Sequence, residues 1–171
     1  MTWMRAAKRK CGSTETAPIT WAVIPFGTYK GLTTPQVALR DPDYLYWLCS
    51  KSLYGVVGEQ VRDVARKAMA IRIPKRNPSR WLAEYQFDRD SKFVSLSLVA
   101  ADSPQHPKWV ERLPYIDLSW TSRRRSYDKG GGKRLIRAFV SVYFGGRKRL
   151  TKKRCEGFFS NEKNFVATED W

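Results

Sequence analysis

The segment 81–98, Trp-Leu-Ala-Glu-Tyr-Gln-Phe-Asp-Arg-Asp-Ser-Lys-Phe-Val-Ser-Leu-Ser-Leu, decides the fold class of this chain. On both sides of the turn-forming triplet Arg89-Asp90-Ser91, apolar residues alternate with polar or smaller ones. A hydrophobic period of two that continues across a turn is typical of a β-hairpin. We therefore expect two antiparallel strands here, and a sheet in the C-terminal half of the chain.

Helical patterns precede the hairpin. The pair Thr34-Pro35 predicts a short helix with Thr34 as its N-cap. Asp41-Pro42-Asp43 has the same pattern of a capping residue followed by proline, and predicts a second helix over the apolar run 44–48. A third helix is expected over about 58–70, where apolar residues recur at helical spacing. The apolar run 21–26 predicts a short strand before these helices.

Further patterns complete the fold prediction. The segment 73–79 contains two prolines and forms the strongest internal boundary. Beyond the hairpin, 116–120 alternates as a strand, and 135–144 is apolar on both faces, which predicts a long central strand. The chain is thus predicted to be α+β, with an N-terminal helical lobe followed by a mostly antiparallel or mixed β-sheet. Its predicted parts are a mobile basic arm (1–19), the helical lobe (20–72) and a basic β-rich region (80–171) packed with the lobe as one unit.

The charge of the chain predicts its partner. There are 32 basic and 16 acidic residues, a net charge of +16, and the segment 123–154 holds thirteen Lys or Arg but one acid, Asp128. Such a surface attracts phosphate backbones, so nucleic acid is the expected partner, with DNA favoured over RNA. A membrane surface is the rival polyanion. No apolar run reaches the roughly 18 residues of a membrane span, so membrane insertion is not expected.

Two basic clusters flank the predicted central strand. The first lies in residues 121–134, which are predicted to form a long flexible loop. Its three consecutive arginines can bind phosphate oxygens, Tyr127 can stack on a base, and the triple-glycine segment 130–132 followed by Lys133 can form an anion nest. This segment does not match a Walker P-loop, so ATP is not an expected cofactor. A straight strand would separate the clusters by roughly 30 Å. The predicted nucleic-acid contacts in the two clusters are Arg123, Arg124, Arg125, Tyr127, Lys133, Arg134, Arg147, Lys148, Arg149, Lys152, Lys153 and Arg154.

The cysteines and the single histidine bear on compartment. Cys11, Cys49 and Cys155 are widely spaced and form no paired motif, and His106 lies alone in a Pro-flanked loop. A disulfide framework and a structural zinc site are therefore not expected. A reducing bacterial cytoplasm fits this pattern, and no secretory signal is recognised at the basic N-terminus.

A nuclease is the enzymatic alternative. The first candidates for its carboxylates are Glu84 and Asp88, expected on one strand face, and Asp117 on the next strand. Such a site would use Mg²⁺, whereas binding alone needs no cofactor. The opposing interpretation is that these acids face solvent and pair with basic neighbours.

One segment resembles a known family. The residues 24–31, Ile-Pro-Phe-Gly-Thr-Tyr-Lys-Gly, and 41–48, Asp-Pro-Asp-Tyr-Leu-Tyr-Trp-Leu, are similar to the small domain at the C-terminus of exonuclease X-like proteins, which also occurs alone in phage and bacterial proteins. The resemblance covers about residues 20–70. It implies a DNA-transaction setting but carries no catalytic site, and Thr28 stands where the family usually has Lys. In the turn, Lys30 and Tyr29 offer a charge and a stacking face to a ligand. The opposing interpretation, which the sequence favours, is that the aromatic residues form a small core, since aromatic residues at helical spacing usually pack inward.

These observations predict a sequence-independent DNA-binding protein of a bacterial plasmid, phage or other mobile element. It would inhibit, protect or process DNA during conjugative transfer, replication or defence. The alternatives are a DNase, which could be nucleotide-stimulated, and an inhibitor that binds a nucleoprotein machine through exposed aromatic residues. A ParB/sulfiredoxin-like plan is the alternative at the level of the fold.

Overall fold

A computed structural model describes residues 19–104, 109–146 and 149–166. The chain is α+β, as the sequence predicts. Its helices are α1 (Thr34–Ala38), α2 (Pro42–Cys49), α3 (Gly55–Ala68), α4 (Gly131–Phe144) and α5 (Lys152–Ser160), and its strands are β1 (Trp81–Phe87), β2 (Phe93–Ala100) and β3 (Val110–Leu113). Short 3₁₀ turns occur at Pro78–Arg80, Ser122–Arg124 and Glu162–Asn164. None of the described helices is long and apolar enough to cross a membrane.

The three strands form an antiparallel sheet in the order β2-β1-β3. The hairpin prediction is confirmed, since β1 pairs with β2 from Trp81↔Ala100 onward, with a bulge between Gln86 and Phe87. The carboxylate of Asp88 accepts hydrogen bonds from the backbone N–H groups of Asp90 and Lys92, at 2.9 and 2.8 Å. This side chain therefore closes the hairpin turn.

The helices of the helical lobe begin close to the predicted positions. Helix α2 is capped by Asp41, whose carboxylate accepts a 3.0 Å hydrogen bond from the N–H of Tyr44. The N-cap of α1 is Thr33 rather than Thr34, and Gln36 accepts a 3.1 Å bond from the Thr33 N–H. Helix α3 begins at Gly55, one turn earlier than expected, and ends at Ala68.

The segment 135–144 lies in helix α4, so the prediction of a central strand is wrong. Leu135, Ile136, Phe139 and Val140 are buried at helical spacing, while Arg137 between them is exposed. The apolar run is dense enough to suit a strand as well, but at 14 residues the element has the length of a helix. At about 1.5 Å rise per residue, residues 135–144 span about 15 Å rather than the 30 Å of a strand.

Two other predicted strands are single bridges. In 21–26 only Val23 pairs, with Thr33, and in 116–120 only Ile116 pairs, with Ile71. The Ile116 pairing is reciprocal, with N···O distances of 2.7 and 2.9 Å. These segments attach loops to the helical lobe and do not join the sheet. Their alternation of apolar and polar residues therefore reflects which side chains are buried.

The core is continuous from the helical lobe into the sheet and the C-terminal helices. Leu45 and Val64 of the lobe belong to the same buried cluster as Tyr85 of the sheet and Phe139 of α4. Edge-to-face aromatic contacts join α4 to α5, for example between Phe139 and Phe158, whose ring centroids are 5.9 Å apart. This packing fixes α4 against the lobe and so positions the groove described next.

Candidate nucleic-acid interface

A groove of about 680 Å³ lies between the turn after Phe26, the end of α1 and the first half of α4. Its described lining holds four cations and no acid. Its floor is apolar and largely buried, from Leu39 and Ile136. We call this the basic groove, and its cations are Lys30, Arg40, Lys133 and Arg137.

The turn that carries Lys30 depends on two glycines. Gly27 and Gly31 have φ of 73° and 86°, the left-handed region that glycine adopts without strain. A Cβ on Gly27 would also collide with the hydroxyl of Tyr44. The turn therefore needs glycine at both positions, and it presents Lys30 to the groove.

Tyr29 ties this turn to helix α2. Its hydroxyl donates a 2.8 Å hydrogen bond to Oδ2 of Asp41, the N-cap of that helix. Burial, together with this bond to a carboxylate, raises the pKa of Tyr29 to about 12. The phenol accordingly stays protonated at neutral pH and holds the rim of the groove in place.

The N-terminal end of α4 positions the other side of the groove. A Cβ on Gly132 would lie 2.7 Å from Oδ2 of Asp43, and one on Gly131 would lie 2.5 Å from Oδ2 of Asp128. The glycines thus let two buried carboxylates approach the helix N-terminus, where negative charge is favourable. The triple-glycine segment therefore contacts carboxylates of the chain itself, Asp43 and Asp128, in the place where an anion nest would hold an external anion. Burial raises the pKa of Asp43, partly offset by a 3.0 Å hydrogen bond from the Thr121 hydroxyl.

A smaller hollow of about 320 Å³ continues the basic groove. It shares Leu32, Leu39 and Arg40 with the groove, and adds Arg149 and Leu150. Cys155 lies in its lining but is buried, and burial raises the pKa of this thiol to about 11. The cysteine is therefore protonated at neutral pH, and Arg149 extends the cationic lining to a fifth residue.

Four arginines of residues 123–134, which we call the arginine segment, lie in a different environment from the groove cations; they are Arg123, Arg124, Arg125 and Arg134. Arg124 stacks on the rings of Phe87 and Trp120, 4.3 and 4.9 Å from their centroids. Arg134 donates to the carbonyl of Phe93 at 2.9 Å and forms an ion pair with buried Asp128. The prediction of a long flexible loop over 121–134 is wrong, because the segment contains a 3₁₀ turn and the start of α4.

Other predicted contacts are distributed as follows. Arg123 lies 5.9 Å from the centroid of the Trp120 ring, while Arg125 and Tyr127 are exposed. In the second cluster, Arg154 donates to the carbonyl of Arg149, Lys152 lies 3.9 Å from Glu156, and Lys153 is exposed. Arg147 and Lys148 lie outside the described residues.

The three candidate carboxylates are not brought together. Glu84 is buried in an ion pair with Arg112 at 2.7 Å, and Asp88 closes the hairpin. Asp117 lies beside Tyr85, the neighbour of Glu84 in β1, and successive strand residues face opposite sides of a sheet. Burial raises the pKa of Asp117, opposed by hydrogen bonds from Ser119. Within 19–104, 109–146 and 149–166, no group of three or more His, Cys, Asp or Glu could hold a metal ion, and His106 lies outside these ranges.

Comparisons of the chain with protein-family models, curated proteins and solved structures found no match. The resemblance of residues 20–70 to the exonuclease X-associated domain therefore stays a prediction.

The sequence predicts part of the basic groove. Lys30 and Lys133 were among the predicted contacts, but Arg40 and Arg137 were not. The signal for Arg137 is its spacing of four from Lys133, which places the two on one face only if the segment is a helix. Arg40 carries no local signal, because only the tertiary fold brings the end of α1 beside α4.

Proposed function

We propose that the protein binds DNA without sequence specificity and that the basic groove makes the phosphate contacts. The observation that carries this proposal is the convergence of four cations from three segments of the chain. No salt bridge among the described residues involves any of them. Like charges held close together repel one another, and a polyanion that neutralises them removes that repulsion.

The chemistry of the groove supports binding to the backbone rather than to bases of a particular sequence. Lysine and arginine contacts to phosphate fix position but carry no direct sequence information. The resemblance of residues 20–70 supports DNA over RNA as the partner, and a bacterial, plasmid or phage setting for the protein.

The test is the salt dependence of DNA affinity, measured by fluorescence anisotropy. The slope of log K against log salt is negative, and each cation removed from the interface reduces its magnitude by roughly 0.7–0.9. We expect the double variant Lys30→Gln/Arg137→Gln to lose roughly 1.4–1.8 from this slope and to bind more weakly.

The matched control is Arg66→Gln/Lys92→Gln, which removes the same charge from residues that form surface ion pairs with Asp63 and Asp90. We expect this variant to retain the wild-type slope. Equal losses in the two variants would show that the net charge of the whole molecule, and not the groove, governs binding.

A further inference from the structure

A line of aromatic rings leads away from the basic groove. Tyr29 lines the groove, and its ring centroid lies 4.8 Å from that of Tyr44 in an edge-to-face arrangement. The Tyr44 ring is in turn 5.0 Å from Trp47 on α2. We call these three residues the aromatic track.

The track ends at a partly exposed indole beside a cation. Trp47 is 39% exposed, and the ammonium of Lys51 lies over its ring, 4.9 Å from the centroid, so a base that stacks on this face displaces the ammonium. Phe26, just before the turn that carries Lys30, is also 39% exposed. Solvent-facing aromatic surface next to a lysine is the combination that binds a base and its neighbouring phosphate.

Single-stranded DNA matches this surface better than duplex DNA does. An unpaired strand offers the π-face of each base for stacking, and stacking on aromatic side chains tolerates any base. In a duplex those faces are stacked on one another, so Trp47 would have no base to contact. The basic groove is also concave with an apolar floor, which suits bases lying below a rim of phosphate-binding cations.

We infer that the protein prefers single-stranded DNA, with phosphates held in the basic groove and a base stacked on Trp47. This inference rests on the proposed function and adds the class of substrate to it. Lys51 then supplies a phosphate contact beyond the groove, next to the stacked base.

The experiment compares a labelled oligothymidine with a duplex of the same length by anisotropy. The principal variant is Trp47→Leu, which keeps apolar packing against Tyr44 but removes the π-face. We expect it to weaken binding of the single strand about tenfold and to leave duplex binding within about twofold. Trp47→Phe keeps an aromatic ring and should restore most of the single-strand affinity.

The matched control is Trp109→Leu, because Trp109 is 51% exposed but lies outside the aromatic track. It should change binding of neither DNA form. Wild-type protein that binds duplex as tightly as the single strand, or a Trp47→Leu variant that weakens both forms equally, overturns the inference and leaves the proposed function standing. Wild-type protein that binds neither form at low salt overturns the proposed function itself.

Discussion

The arginine segment and the basic groove carry similar charge, yet their cations have different partners. In the arginine segment, Arg124 covers two aromatic rings and Arg134 neutralises a buried carboxylate. In the groove, Lys30 and Arg137 line open space and form no salt bridge with any residue that the structure describes. The densest run of positive charge in the sequence is therefore partly structural. The cations of the basic groove, which the fold gathers from distant positions, form no salt bridge with the described residues.

We expect the largest effect from a substitution that removes the structural ion pair of the arginine segment. Arg134 and the Phe93 N–H both bond to Asp128, which is 3% exposed. Arg134→Met leaves this buried carboxylate without its cation, and because Arg134 itself is 41% exposed we expect the free energy of unfolding to fall by about 2 kcal/mol. Urea denaturation measures the change.

The matched control for this prediction lies on the same helix. Arg137→Met should change the free energy of unfolding by no more than about 0.5 kcal/mol, because its side chain is exposed. It should nevertheless weaken DNA binding. A stable Arg134→Met variant would show that the two regions do not differ in the way described here.

A smaller effect is expected at the stacked arginine. Arg124→Leu keeps part of the apolar cover over Phe87 and Trp120 but removes both cation–π contacts. We expect a loss of about 1 kcal/mol in the free energy of unfolding, with the salt slope of DNA binding unchanged. Denaturation and anisotropy on the same preparation test both halves. A clear fall in the slope would place Arg124 at the DNA interface instead.

The smallest effect concerns pH and the buried acid beside the arginine segment. Burial raises the pKa of Asp117, opposed by hydrogen bonds from Ser119 and by the charge of Arg123. Because the folded-state pKa lies above the unfolded one, the folded state binds the proton more tightly. Stability from this group is then present at low pH and is lost as pH rises from the unfolded pKa through the folded one.

Replacing Asp117 tests the direction of this pH dependence of stability. Asp117→Asn removes the buried charge but keeps an oxygen that can accept from the Ser119 N–H. We expect the variant to be slightly more stable than wild type at pH 7, with the difference disappearing below the unfolded pKa near ~4. Denaturation curves at pH 3 and pH 7 measure the difference in stability between variant and wild type. A smaller advantage of the variant at pH 7 than at pH 3 contradicts the expected direction.

How far the sequence predicts this molecule depends on how local each feature is. The hairpin 81–98 and the Asp41 cap of α2 follow from spacing and turn chemistry within a few residues, and both predictions are confirmed. The prediction of a strand over 135–144 is wrong because the apolar residues there are dense enough to fit the period of a strand as well as that of a helix. Only the length of the element and the left-handed Gly145 at its end distinguish the helix.

The candidate site is less predictable than the fold. Lys30 and Lys133 are 103 positions apart in the chain, and nothing local indicates that they line one groove. The sequence shows the three residues of the aromatic track but not their contacts, since only the turn at Gly27 brings Tyr29 to Tyr44. Where function depends on such long-range convergence, composition predicts the class of partner and leaves the location open.

The most direct test of the central claim is an amide NMR titration of the protein with an oligothymidine at low salt. We expect the largest chemical-shift changes at 28–32, at Arg40 and at 133–137, with Trp47 shifting alongside them. Changes confined to 121–127 and 152–154, with the groove residues unmoved, would contradict it and return the interface to the clusters that are most basic in sequence.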